Sequence, residues 1–211
     1  MKLNKKKIIV LALALSLLAL VSAGTLAWFT DSDSVTNNFH VATSTEKPDD
    51  IFSVTLLENV DTDGDGVADS TVAGCTFENI YPSAQLVKEP FVTNTGAYDQ
   101  YIRVLVTIDA DYDALVSDLT ETYLGYDDTL WTAAGKTQVG DKVTYTYYLN
   151  AILAPDASQT LFTHVVIPAD LDENDFATLT TGDFAMEIVA EAVQADNTGD
   201  NAQAAFVLVG E

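Results

Sequence analysis

Apolar positions follow three rhythms along this chain. From Ile8 to Phe29 they are nearly continuous and no charged residue interrupts them. Beyond about residue 50 they mostly alternate with polar positions, the two-residue period of a strand with one covered face. In DYDALVSDLTETYL the period changes again: Tyr112, Leu115, Leu119 and Tyr123 recur at three- and four-residue spacing, as on one face of a helix. Asp111 and Asp113 sit at the start of that segment, where the helix dipole favours negative charge.

The alternation is clearest in DKVTYTYYLN, where Val143, Tyr145 and Tyr147 can face a core while Thr144, Thr146 and Tyr148 face outward. Similar runs occupy residues 51–59, 70–78, 98–109, 159–167 and 184–194, with shorter ones near 86–92, 130–133 and 203–209. Gly, Asp and Asn punctuate them as turn residues do. So many strands predict an all-β fold, a jelly-roll-like antiparallel β-sandwich. The helix at Tyr112 and a second, shorter one over residues 172–179, with Glu173 and Asp175 near its start, decorate it. No linker follows Lys47 and no internal repeat is visible. The expected organisation is a signal peptide over residues 1–27, a mature N-terminal segment over 28–47, and the sandwich over 48–211.

The uncharged N-terminal run has a direction. Lys2, Lys5, Lys6 and Lys7 precede it, and IIVLALALSLLAL follows at once, the order of the positive and apolar regions of an export signal. At about 1.5 Å per residue the stretch to Phe29 just crosses a bilayer core of about 30 Å as a helix, so an uncleaved anchor is one reading. Ser22, Ala23, Gly24, Thr25 and Ala27 favour cleavage, because small residues after a short apolar region suit a peptidase. Two cuts are readable, after Ala23 or after Ala27, and only the second leaves Trp28 as the new N-terminus.

Cleavage sharpens the charge. Four of the nine Lys and Arg precede Ala27 and all thirty-two Asp and Glu follow it, so the mature chain sets five basic residues against thirty-two acidic ones. A surface of this sign excludes nucleic acid, whose phosphates need basic partners, and leaves contact with membrane to the signal peptide before cleavage. It also repels itself, which divalent cations or subunit contacts would relieve. Cys75 is the only cysteine, so no internal disulfide can form and a small buried hydrophobe is its expected role. Arg103, the only arginine, is expected in a structural ion pair.

One motif points to a cofactor. In DTDGDGVAD, Asp61, Asp63, Asp65 and Asp69 stand at positions one, three, five and nine, with Gly66 at six, close to the spacing of a calcium loop. Alternate carboxylates and a sharp turn let several oxygens converge on one ion, with the Val67 carbonyl as a fifth ligand. Position twelve is Val72 instead of a bidentate Glu, and the flanks are strands, so the alternative is a solvated Asp-Gly hairpin.

Several separated strings resemble the TasA and camelysin family of exported biofilm matrix fibre proteins. GTLAWFTDSDS, through Gly24, Thr25, Ala27, Trp28, Phe29 and Asp31, is similar to the family's junction for a dedicated signal peptidase. Lys88, Glu89, VTNTG from Val92 to Gly96, Tyr101 and Arg103 match a second segment. Tyr147, Tyr148, Pro155, Thr160, Leu161, Phe162, Ile167 and Pro168 match a third, and EIVAEAVQAD resembles the closing strand. The chain departs at Pro82-Ser83 and Pro155-Asp156, where the family has Pro-Gly.

The resemblance implies cleavage after Ala27 and a secreted structural subunit in the extracellular matrix or on the surface of a Gram-positive bacterium. Such subunits polymerise by donor-strand addition, the N-terminus of one entering the sheet of the next. An open sheet edge offers unpaired N–H and C=O groups, and alternate side chains of an added strand fill pockets. Trp28, Phe29, Val35, Phe39 and Val41 would be the anchors of that strand. Two alternatives are a monomeric calcium-dependent binding module and a camelysin-like secreted metalloendopeptidase. Against the enzyme, the chain has only His40 and His164, no H-E-x-x-H, and no G-x-S-x-G.

Overall fold

In the computed structural model, residues 30–35, 53–77, 81–116, 124–169, 171, 185–196 and 198–209 are described. The strands are β1 (Thr30–Val35), β2 (Val54–Val60), β3 (Ser70–Val72), β4 (Gln85–Asn94), β5 (Gln100–Asp109), β6 (Trp131–Val139), β7 (Lys142–Leu149), β8 (Ser158–Thr160), β9 (His164–Val166) and β10 (Glu187–Gln194). Two helices accompany them, α1 (Ala110–Val116) and α2 (Ala202–Leu208). One sheet has the order β1-β10-β5-β7-β6 and the other β3-β2-β4-β8, with β9 also beside β4. The pairings are antiparallel throughout.

Period-two patterning builds the space between the sheets. On β5 the core takes Ile102, Val104, Val106 and Ile108, on β7 Val143, Tyr145, Tyr147 and Leu149, and on β10 Ile188, Ala190 and Ala192. From the second sheet come Val54, Leu56 and Val92. Trp131 of β6 closes one end, buried to 1 % exposure, and its indole N–H donates to the Thr160 carbonyl of the opposite sheet at 2.8 Å. The all-β sandwich expected from the alternation is therefore present.

Three expectations need correction. Residues 203–209 form no strand: 203–208 lie in α2 and Val209 caps it, Ala202, Ala205 and Phe206 are buried at three- and four-residue spacing, and the Asn201 side chain accepts from the Ala204 N–H at 2.9 Å. The run at 159–167 is two short strands, β8 and β9, both against β4. Pro90 explains the break. Its carbonyl accepts from the Leu161 N–H at 2.8 Å, and since both polar groups of a residue in an antiparallel ladder face the same side, its missing N–H falls at the interruption. Of the run at 70–78, the described residues 70–77 form a strand only over the first three. Residues 117–123 of the first expected helix, the second helix expected at 172–179, and residues 1–29 with the expected signal segment lie outside the described residues.

In VTNTG, asparagine and glycine are residues that tolerate positive φ in turns, but the chain turns here by another device. Neither Asn94 nor Gly96 adopts positive φ. Asn94, fully buried, instead accepts from the Gly96 N–H at 2.9 Å and donates to the carbonyls of Tyr98 and Leu153, each at 2.8 Å.

Candidate functional site

Among the described residues, β1 forms an edge of the first sheet. β1 lies antiparallel to β10, with Thr30 opposite Val193 and Val35 opposite Ile188. β10 pairs on its other side with β5, so β1 is what separates β10 from an open edge. Of the residues expected to carry assembly, Val35 ends β1, while Trp28, Phe29, Phe39 and Val41 lie outside the described residues, as does Ala27 at the expected cut. The far edge of the same sheet is β6, solvent-exposed after Trp131 and interrupted by a register shift between Ala133 and Lys136. A bulge and a lysine are means by which sheet edges avoid casual pairing.

The outer face of this sheet carries α2. Tyr101 and Val193 face outward there and pack with Ala202, Ala205 and Phe206. Beside them Arg103 and Glu191, direct partners across β5 and β10, form an ion pair of 2.5 Å, and the Phe206 ring lies 4.4 Å under the guanidinium carbon. The structural ion pair expected of Arg103 is thus present.

The aspartate loop joins β2 to β3. Asp61, Asp63 and Asp65 bring carboxylate oxygens within 4.8 Å of one another. Asp61 also organises the turn, accepting from Gly64 N–H at 2.6 Å and Gly66 N–H at 2.7 Å. These backbone donors, Gly66 first and then Gly64, hold its carboxyl below the usual range. Gly66 takes φ +87°, which a side chain would strain. Asp69 departs from expectation: it is not in this group, and closes the base of the loop by accepting from the N–H and hydroxyl of Thr62 at 3.1 and 2.9 Å. Val67 gives its N–H to Asp65 at 2.9 Å. The three clustered carboxylates are hard oxygen donors, suited to a cation of the calcium type.

A further cluster was not among the expected sites. Glu58 of β2 and Lys88 of β4, 2 % and 3 % exposed, form an ion pair inside the sandwich. The Cys75 Sγ lies 3.9 Å from the Lys88 Nζ. The signal was available in the sequence, because Glu58 falls on the same parity as Val54, Leu56 and Val60, and Lys88 on that of Val92. His164 bonds Thr163 through Nδ1 at 2.9 Å. Among the described residues, the aspartates of the loop are the group of His, Cys, Asp and Glu close enough to hold a metal.

No family model matches this chain. No curated protein and no solved structure matches it either.

Proposed function

We propose that this protein is an exported structural subunit of extracellular matrix or surface fibres that assembles by β-strand exchange, without enzymatic activity. The observation that carries the reading is the pairing of β1 with β10. The strand closing the sheet is the first one described, directly after the expected cleavage site, and 36–53 separate it from β2 in sequence. A strand of identical sequence from a second copy would make the same ladder from Thr30–Val193 to Val35–Ile188. Exchange of that strand thus costs no contacts and links subunits in a head-to-tail chain. The resemblance of GTLAWFTDSDS and the later segments to the TasA and camelysin family supports the same reading, as does a sparse basic complement that leaves self-association to backbone pairing. A dedicated signal peptidase acting after Ala27 would free Trp28 and Phe29 to anchor the strand in the neighbour. The subunit would then reside in the matrix or on the surface of a Gram-positive cell.

Within this reading the sandwich is jelly-roll-like: the chain passes between the sheets from β1 to β2, β4 to β5, β7 to β8 and β9 to β10. The Asp61, Asp63 and Asp65 carboxylates take calcium, which relieves part of the acidic repulsion.

The test is deletion of residues 28–41 from the secreted chain. The shortened protein is expected to remain monomeric by light scattering and to form no fibres by electron microscopy, and a peptide of residues 28–41 should bind it. Fibres that persist in the deletion variant would refute strand exchange.

A further inference from the structure

Glu58 and Lys88 project from neighbouring strands onto the same inner face of the second sheet. The ladder sets Glu58 opposite Pro90 and Val60 opposite Lys88, so the two side chains are diagonal neighbours with their backbones fixed. Both are almost wholly removed from water. The Glu58 Oε2 meets the Lys88 Nζ, whereas the Glu58 Oε1 is buried with no hydrogen-bond partner. A carboxylate left half unsatisfied in a sandwich core is costly, and so is a buried pair of full charges.

We propose that Lys88 and Glu58 condense into an intramolecular isopeptide bond that ties β4 to β2. The proton passes first from the ammonium to the carboxylate, a transfer that apolar surroundings favour because it removes two charges. The neutral amine then attacks Cδ, forming the Nζ–Cδ bond. The tetrahedral centre collapses as the Cδ–O bond to the former Oε1 breaks, and that oxygen leaves as water with one proton from the acid and one from the amine. Ammonium and carboxylate become a neutral amide and one water, with no oxidant or cofactor. Condensation that fails in bulk water is helped here by fixed approach and by exclusion of the water that would reverse it. Burial pushes the Cys75 thiol up to about 11, against the pull of the Lys88 charge, so the group 3.9 Å from the Lys88 Nζ stays a neutral thiol and brings no further charge to the pair. The bond would give an exported chain with a single cysteine the covalent staple that a disulfide cannot supply.

Mass spectrometry of the intact, denatured mature protein tests this. The expected mass is one water below that of the sequence. Trypsin should fail to cut after Lys88, and cleavage before aspartates, which separates residue 58 from residue 88 at Asp61, should leave the two peptides joined. Lys88→Ala and Glu58→Ala should each show the full mass. An unmodified wild-type mass with free cleavage after Lys88 overturns the proposal whatever the variants do. A water loss that survives Lys88→Ala also overturns it, since it would then arise elsewhere, such as cyclisation at Asp63-Gly64 or Asp65-Gly66. None of these readouts depends on fibre formation.

Discussion

Arg103 on β5 reaches Glu191 on β10 with both Nε and Nη2, each 2.5 Å from the same carboxylate oxygen. The pair is 11 % and 18 % exposed, with the guanidinium over the Phe206 ring of α2, so one side chain holds two strands and a helix together.

Replacing the arginine should therefore loosen all three. Arg103→Ala is expected to lower stability by about 2 kcal/mol in urea unfolding, because a shielded carboxylate loses its charged donor. Arg103→Lys should recover less than half of that, since an ammonium lacks the planar fork and stacks less well on an aromatic ring. Equal stability of the two variants would show that charge alone matters.

Two turns carry strain that glycine would relieve. Ser83 and Asp156 take φ of 68° and 61°, each directly after a proline. In both, the i+3 amide bonds back, Ala84 N–H to the Tyr81 carbonyl and Ala157 N–H to the Ala154 carbonyl, each at 3.0 Å. Proline followed by a positive φ is the type II turn, whose third position favours glycine. Pro82-Ser83 and Pro155-Asp156 thus hold the two non-glycine residues with positive φ among those described. Ser83→Gly is expected to raise stability by about 0.5 kcal/mol, the left-handed penalty less the entropy of the freer unfolded chain. A lowered thermal midpoint would refute this account of the turn.

Calcium should stabilise the chain at neutral pH more than the same ionic strength of sodium chloride, because screening acts on all thirty-two acids while a bound ion acts at one loop. Asp61 sets the lower limit. Its folded value lies below the ordinary 3.8, so its ionised contribution is complete above that pH and is lost as the pH falls through the lower folded value. Calorimetric titration should show binding heat at pH 7, a smaller heat as the pH falls through the lowered Asp61 value, and none for Asp63→Ala with Asp65→Ala. Equal effects of calcium and sodium on the melting temperature would remove the site.

Parts of the candidate site were legible and parts were not. The Asp61 to Asp69 loop could be read from spacing, but spacing treats its four acids alike. Only the folded turn shows that Asp69 is spent on Thr62. Glu58 was legible by parity yet hidden by composition, since one acid among thirty-two draws no notice until its strand is known to face a core. Residues 203–209 misled because a seven-residue run of small and apolar positions fits either period, and Asn201 at its start decides for helix only once its cap bond is seen.

Alternation along the chain by itself determined that this protein is built from antiparallel strands around one core, because a period of two leaves each strand with one apolar face to bury. Composition by itself determined the acidity of the chain. Which strands neighbour one another was decided only by tertiary structure. Backbone hydrogen bonds are indifferent to sequence, so nothing in TDSDSV names β10 as its partner, and nothing in Glu58 names Lys88, thirty residues away. Those pairings exist because two sheets had to close over a shared interior. That closure left the N-terminal strand on an edge and a lysine beside a carboxylate inside.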